Sequence, residues 1–368
     1  MISRTPHAFL ALLGVVTLVA FSAMPARAAI VFNTFTTPNI PQGNSPIGFT
    51  FAGNKFVGSL YNTNTGNIVL YSTDLNGGNV QQFGAGLSAS SGSSTEHYVA
   101  ASLGLGGFPK GDIYVAQGNS VIHYNNAGTS VDLNFATGLV SGGEGVRGIL
   151  FDSTGGFGFN MLASTDIGNI YKIGPGGATS PTAFATITGE NIEGMDIAPP
   201  GFGPYGGDLI VGSDSDGKVY AITPSGTVAN GGNPIFTDQN NQAEELTFVP
   251  LNLGASGNPL EGFYGSNYAV NVLKADASQF AGLQGDLIIT TEFGSNGPVV
   301  DVHWNGSAFV QNQIGAFPNQ PEDGLFVTAA IIQDVGVVPE PATLSLFGAG
   351  LLGAAAVARI RRYRRCKS

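Results

Sequence analysis

The chain has 368 residues, of which 43 % are hydrophobic and 55 are Gly, with a formal net charge of −11; that length supports a large core, and the Gly share, about twice the usual, implies many tight turns rather than disorder. Eight of the 14 Lys/Arg but only one of the 25 acids fall in the two end segments, so residues 29–337 hold six basic and 24 acidic side chains, a net −18. Such a surface repels a phosphate backbone, which excludes nucleic acid and leaves cations, neutral glycans and proteins as partners.

Residues 1–28 read as a signal peptide. Arg4 gives the positive start, Phe9 to Ala23 the apolar run, and Ala26-Arg27-Ala28 the small-x-small site for signal peptidase. Ile30 to Thr37 then alternates as a lone strand. Next come repeating units. Their starts at residues 46, 96, 144, 193 and 245 lie 50, 48, 49 and 52 residues apart. Each unit holds about four short strands, such as Asp208-Leu-Ile-Val211 and Lys218-Val-Tyr-Ala-Ile222 around the Asp214-Ser-Asp216-Gly217 turn. That period predicts an all-β fold, a β-propeller of six blades over residues 29–337.

A sixth start at Glu322 follows after 77 residues, so unit five contains an insertion of about 26 residues within 251–284, with Phe263, Tyr264 and Tyr268. Long loops on regular scaffolds tend to carry binding function. The sixth unit is too short for four strands before Pro339, and Ile30–Thr37 is the strand expected to complete it and remove exposed edges.

Residues 338–368 form a separate tail. Pro339-Glu340-Pro341 precedes 17 small or apolar residues, Ala342 to Ala358, and then a basic cluster from Arg359 to Arg365. As a helix the apolar run would span about 26 Å, close to the roughly 30 Å of a bilayer core, and the arginines would stay cytoplasmic. Motif, span and basic cluster in this order resemble the PEP-CTERM sorting signal of Gram-negative bacteria. The resemblance implies an exosortase substrate: export, transient anchoring, tail removal, and delivery to the cell surface or extracellular matrix. Gly348-x-Gly350-x-x-Gly353 inside the span matches a dinucleotide fingerprint but lacks the preceding strand and following acid.

Chemistry in the middle of the chain is sparse. The only cysteine, Cys366, lies in the tail, which excludes disulfides, thiol catalysis and Cys-type metal sites from the propeller region. No Gly-x-Ser-x-Gly elbow occurs. His123 sits within an alternating strand as a structural residue, His97 follows Glu96 at a unit start near the expected axis, and His303 adjoins Trp304 in a peripheral strand. The Asp74-Leu-Asn76-Gly77 and Asp214 turns carry alternate oxygens, but Ala85 and Ser225 stand where an EF-hand needs Glu, so Asx-stabilised β-turns are the simpler reading.

The recurrent acids at unit starts are Glu96, Glu144, Glu193, Glu245 and Glu322. A propeller brings such positions together at its axis, where unpaired carboxylates protonate, pair locally (Arg147 is at hand) or recruit a cation. Calcium suits an oxygen-only set. The Glu-Gly, Gly-Asp-Leu-Ile-Val and Gly-x-Val-Tyr elements resemble the six-bladed propellers of the regucalcin/gluconolactonase and NHL-repeat group. In gluconolactonase-like proteins a Glu at a blade start is a metal ligand, which implies Glu144, Glu193 and Glu245 here. The function expected is a non-enzymatic, glycan- or protein-binding surface module. The alternative is a metal-dependent lactonase or sugar dehydrogenase.

Overall fold

The computed structural model describes residues 28–41, 43, 45–61, 68–87, 96–140, 145–292 and 296–332. The signal peptide expected at 1–28, apart from its last residue, and the tail at 338–368 with Pro339, Glu340 and Pro341 lie outside them. Among the described residues no helix is long and apolar enough to cross a membrane.

The strands pair into six sheets whose inner strands pack one against the next around a closed ring, a six-bladed β-propeller. Four blades run outward in chain order. Blade one is Pro46–Phe51, Phe56–Leu60, Ile68–Thr73 and Gln81–Leu87; blade two is Val99–Ala101, Ile113–Gln117, Ser120–Tyr124 and Val131–Thr137, with Ala178–Thr179 added in parallel at its edge. Blade three is Val146–Phe151, Met161–Thr165, Asn169–Ile173 and Ala185–Thr186; blade four is Ile192–Ile197, Leu209–Ser213, Lys218–Ile222 and Phe236–Thr237. The inner and second strands are buried on both faces, as in Pro46–Phe51 and Leu209–Ser213, so they read as continuous apolar runs rather than alternating ones. Six apolar clusters bind the sheets together.

Glycine sets how closely the inner strands approach. A Cβ on Gly48 would stand 2.8 Å from both His97 O and Val99 N of the next blade, and one on Gly194 would collide with the backbone of Leu246. The Gly of the Glu193-Gly194 pair is therefore a packing requirement between blades.

Blades five and six depart from chain order. Blade five is Leu246–Phe248, Leu287–Thr290, Gly297–Trp304 and Phe309–Phe317. Blade six, from the axis outward, is Pro321–Val327, Gly262–Asn267, Asn271–Asp276 and Asn33–Thr36. The segment 251–284 is thus not a binding loop. It carries the two middle strands of blade six, inserted between the first and second strands of blade five, and Phe263 and Tyr264 are core residues exposed by 1 % and 0 %. The N-terminal strand closes the ring as expected: Asn33 and Thr34 pair antiparallel with Lys274 and Leu273. Phe35 then reaches across to blade one, 4.9 Å from the Phe56 ring and 4.8 Å from that of Tyr264.

Candidate functional site

Strand register identifies which side chains share the axial position. In blade four, Ile192 pairs with Ser213 and Met195 with Val211; the same interruption follows Val146 in blade three and Pro321 in blade six. The residue after it is Arg147, Glu193 or Glu322. In blade five, where Glu244 N donates to Thr290 O and Leu246 pairs with Ile289, the corresponding residue is Glu244. The ring position therefore holds Arg147, Glu193, Glu244 and Glu322 in blades three to six. Glu144 lies outside the described residues, and Glu245 points elsewhere, as described below.

Arg147 is the hub. Its side chain pairs with Glu193 Oε1 through both Nε and Nη2, and its Nη1 donates to Glu96 Oε2 at 2.8 Å. The guanidinium lies 5.6 Å from the centre of the Tyr98 ring, and the Tyr98 hydroxyl donates to Glu193 Oε2 at 2.8 Å. Carboxamides serve the remaining acids. Asn191 Nδ2 donates to Glu193 Oε1 (3.1 Å) and Asp214 Oδ2 (3.4 Å), and Gln242 Nε2 to Asp214 Oδ1 (2.6 Å) and Glu292 Oε2 (3.3 Å). Gln320 Nε2 donates to Glu292 and to Glu322 Oε1 at 3.0 Å.

One cation among so many acids leaves them over-supplied with negative charge. Burial lifts the Glu193 carboxyl above the usual range, while Arg147 pulls it back. Glu244 is raised well above that range by burial and then by Glu193, Glu322, Glu292 and Asp214; Glu322 is raised by burial, Glu292 and Glu96. Glu292 is pushed to about 7 by burial and Asp214. Burial disfavours the charged form of Arg147, but Tyr98, Glu193 and Glu96 more than reverse that effect.

Oxygens of Glu193, Asp214 and Glu244 lie within 4.8 Å of one another, and the buried Glu244 Oε2 has no hydrogen-bond partner among the described residues. An oxygen-only set of this kind fits a hard cation such as calcium. Sequence reasoning gave Glu193 but missed Glu244, because its neighbour Glu245 matched the unit spacing as well. Asp214, whose turn lacks the Glu of an EF-hand loop, meets these acids from the second strand's end rather than through a calcium loop. The Asp74 turn is closed by its own amides: Oδ1 accepts from Asn76 N at 2.9 Å and Gly78 N at 2.8 Å.

Beside this ring lies a cavity of about 400 Å³ lined by all six inner strands. Phe49, Phe151, Met195, Phe248 and Phe326 are among its lining side chains, and four carboxyls join them, Glu193, Asp196, Glu245 and Asp323. Asp196 Oδ2 accepts from Phe248 N of the next blade at 2.7 Å, and Asp323 Oδ2 from Phe49 N at 2.9 Å, so two of the acids also stitch blades together. Burial raises Asp196 to about 6 and Asp323 to about 7, and burial with Asp323 and Asp196 raises Glu245 well above its ordinary value. Ala330 and Ile331, in the short helix Ala329–Ile332, line the same cavity.

None of the three described histidines belongs to the axial ring of acids. His123 Nε2 meets Asp112 Oδ2 at 2.8 Å and stacks on Tyr114, a structural arrangement. His97 is buried with Nδ1 3.0 Å from Ala116 O. His303 lies in the third strand of blade five, away from the axis.

Residues 337–362 match the model of the PEP-CTERM protein-sorting motif. The chain carries an exosortase sorting signal. The PEP-CTERM motif marks an exported protein, anchored transiently in the membrane and processed by exosortase. No curated protein matches the chain. Among solved structures, the PQQ-bound aldose sugar dehydrogenase of Streptomyces coelicolor is 13 % identical, with a TM-score of 0.47, 79 % of this chain and 86 % of that one being covered. A calcium-binding protein, regucalcin, from Agrobacterium tumefaciens is 12 % identical, with a TM-score of 0.43 and coverage of 78 % and 80 %. A protein of unknown function from Bacteroides thetaiotaomicron is 11 % identical, also at 0.43, over 79 % and 69 %. The six-bladed architecture rests on the strand pairing itself.

Proposed function

We propose that the exported PEP-CTERM propeller is a non-enzymatic module of the cell surface or extracellular matrix that binds a glycan in its axial cavity. The observation that supports this is the composition of the cavity, aromatic and apolar walls around four carboxyls. Aromatic faces take the apolar faces of a sugar ring, and carboxyls accept from its hydroxyls. The acidic balance of residues 29–337 favours a neutral sugar over an acidic one.

The second reading is a metal-dependent hydrolase of the lactonase kind, and the orphaned Glu244 Oε2 beside Glu193 and Asp214 favours it. Arg147, Tyr98 and Asn191 weigh against it, because they already engage both oxygens of Glu193. One experiment separates the two: the full chain is screened on an array of neutral and acidic oligosaccharides and assayed for lactone hydrolysis with and without calcium. The binding module predicts retention on neutral sugars, weakened at least tenfold in Phe248→Ala and Glu245→Gln, and no turnover. Calcium-dependent turnover lost in Glu244→Gln would replace it with the enzyme, and no retention on any sugar would sink the glycan assignment.

A further inference from the structure

Away from the axis, the second and third strands of blade five bring together a different donor set. Asp286 stands just before Leu287–Thr290, and Asp301 and His303 lie on Gly297–Trp304. Leu287 pairs with Val302 and Ile288 with Asp301, so the alternation of a strand puts Asp286, Asp301 and His303 on one face. One donor atom from each lies within 4.8 Å of the other two. Asp301 Oδ2 is 3.5 Å from His303 Nδ1.

Blade two supplies an internal control. There the same Gly-Asp step, Gly111-Asp112, opens the second strand, and a histidine, His123, lies on the third. That pair is self-sufficient: Asp112 Oδ2 meets His123 Nε2 at 2.8 Å, and Oδ1 accepts from Asn126 N at 2.7 Å. Blade five adds a second carboxylate to the same plan. Asp301 is 3 % exposed and its side chain also engages Asn312 and Asp286, yet its Oδ1 atom has no hydrogen-bond partner among the described residues, and its contact with the imidazole is 0.7 Å longer than the 2.8 Å of blade two (3.5 Å). A buried carboxylate oxygen without a donor is costly. Packed against a second carboxylate and a ring nitrogen, that oxygen is relieved by a proton or by a cation, and the imidazole favours a transition metal over calcium or magnesium.

We propose that Asp286, Asp301 and His303 hold a divalent transition-metal ion of the zinc class. Two carboxylate oxygens and one imidazole nitrogen form a mixed donor set of the kind that suits zinc, iron or manganese and leaves positions open. Access is available, since the His303 side chain is 34 % exposed and Asp286 is half-buried. The ion would have a structural consequence. Asp286 ends the connection that has just built two strands of blade six, and its carbonyl accepts from Val249 N where that connection leaves blade five. A metal bridging Asp286 to Asp301 and His303 ties the returning chain to the outer part of its own blade. The site is independent of the axial acids, and its failure would leave the proposed glycan module intact.

The test uses the full chain without an affinity tag, stripped with a chelator and titrated with zinc chloride by calorimetry and thermal melting. One equivalent of zinc is expected, with a higher melting temperature. Asp301→Asn and His303→Ala should each weaken binding at least tenfold, while His123→Ala and Glu244→Gln leave it unchanged. Because His303 is partly exposed, His303→Ala keeps the test open if Asp301→Asn does not fold. Cobalt(II) gives a further readout, a visible absorption band that His303→Ala abolishes. No zinc uptake, uptake indifferent to both blade-five variants, or uptake removed by Glu244→Gln would each overturn the assignment.

Discussion

Arg147 holds two carboxylates, Glu193 and Glu96, in a setting where Glu193 is 4 % exposed. Its removal leaves a buried carboxylate unpaired, and breaking such a pair costs about 3–5 kcal/mol. Arg147→Ala is expected to lower stability by that amount in denaturant melts, and Glu193→Gln by less, because the neutral amide needs no counter-charge. A loss below about 1 kcal/mol for Arg147→Ala would show that Glu193 does not depend on the arginine. The sequence shows why this pairing was only half visible. Glu-Gly occurs at 144–145 and 193–194, and residue identity suggests that the two are equivalent. Strand register instead aligns Arg147-Gly148 with Glu193-Gly194. What blades three and four share is the glycine, Gly148 or Gly194, fixed by close approach of the next blade, whereas the axial side chain before it differs in charge.

The strands of blades one to four were legible because each is a short apolar run bounded by turn residues at a regular period. Blade six was not, because its strands come from three separate places in the chain. A period search sees only an excess of residues between Glu245 and Glu322. It cannot tell a surface loop from a hairpin serving the neighbouring sheet. The fully buried Phe263 and Tyr264 are the signal that decides it. The N-terminal strand, by contrast, could be argued from the shortage of residues after Glu322, and its pairing with Asn271–Asp276 meets that expectation. Phe35 joins this strand to blade one through the Phe49, Phe56 and Tyr264 rings. Phe35→Ala is expected to cost about 2 kcal/mol. Deletion of residues 30–37 should cost more, since it also removes the contacts of Ile30 and Phe32 and bares the edge of Asn271–Asp276. Differential scanning calorimetry checks both, and a deletion that melts like the parent would remove the strand from its role as a clasp.

At the scale of the molecule, the ring gathers carboxyls along one axis and buries most of them. Burial raises Asp196 to about 6 and Asp323 to about 7, burial with Asp214 raises Glu292 to about 7, and Glu244, Glu245 and Glu322 also rise. The folded protein therefore binds more protons than the unfolded chain between the ordinary carboxylate range and about pH 7. By linkage, stability is fullest below the unfolded values and is lost as pH rises through the folded ones. Asp152 works the other way. Despite its burial, donors from Thr154, Phe159 and Phe157 hold it below the usual range, so its contribution is lost only in stronger acid. With metal removed by chelator, the melting temperature should be higher at pH 5 than at pH 8, with most of the fall between pH 6 and 8. Glu292→Gln, which removes one of the groups titrating near 7, should flatten that fall. Added calcium should flatten it too, if the ion takes over from protons in relieving repulsion among Glu193, Asp214 and Glu244. A melting temperature that climbs from pH 5 to pH 8 in chelator would mean that the axial acids are solvated and ionised in the folded state.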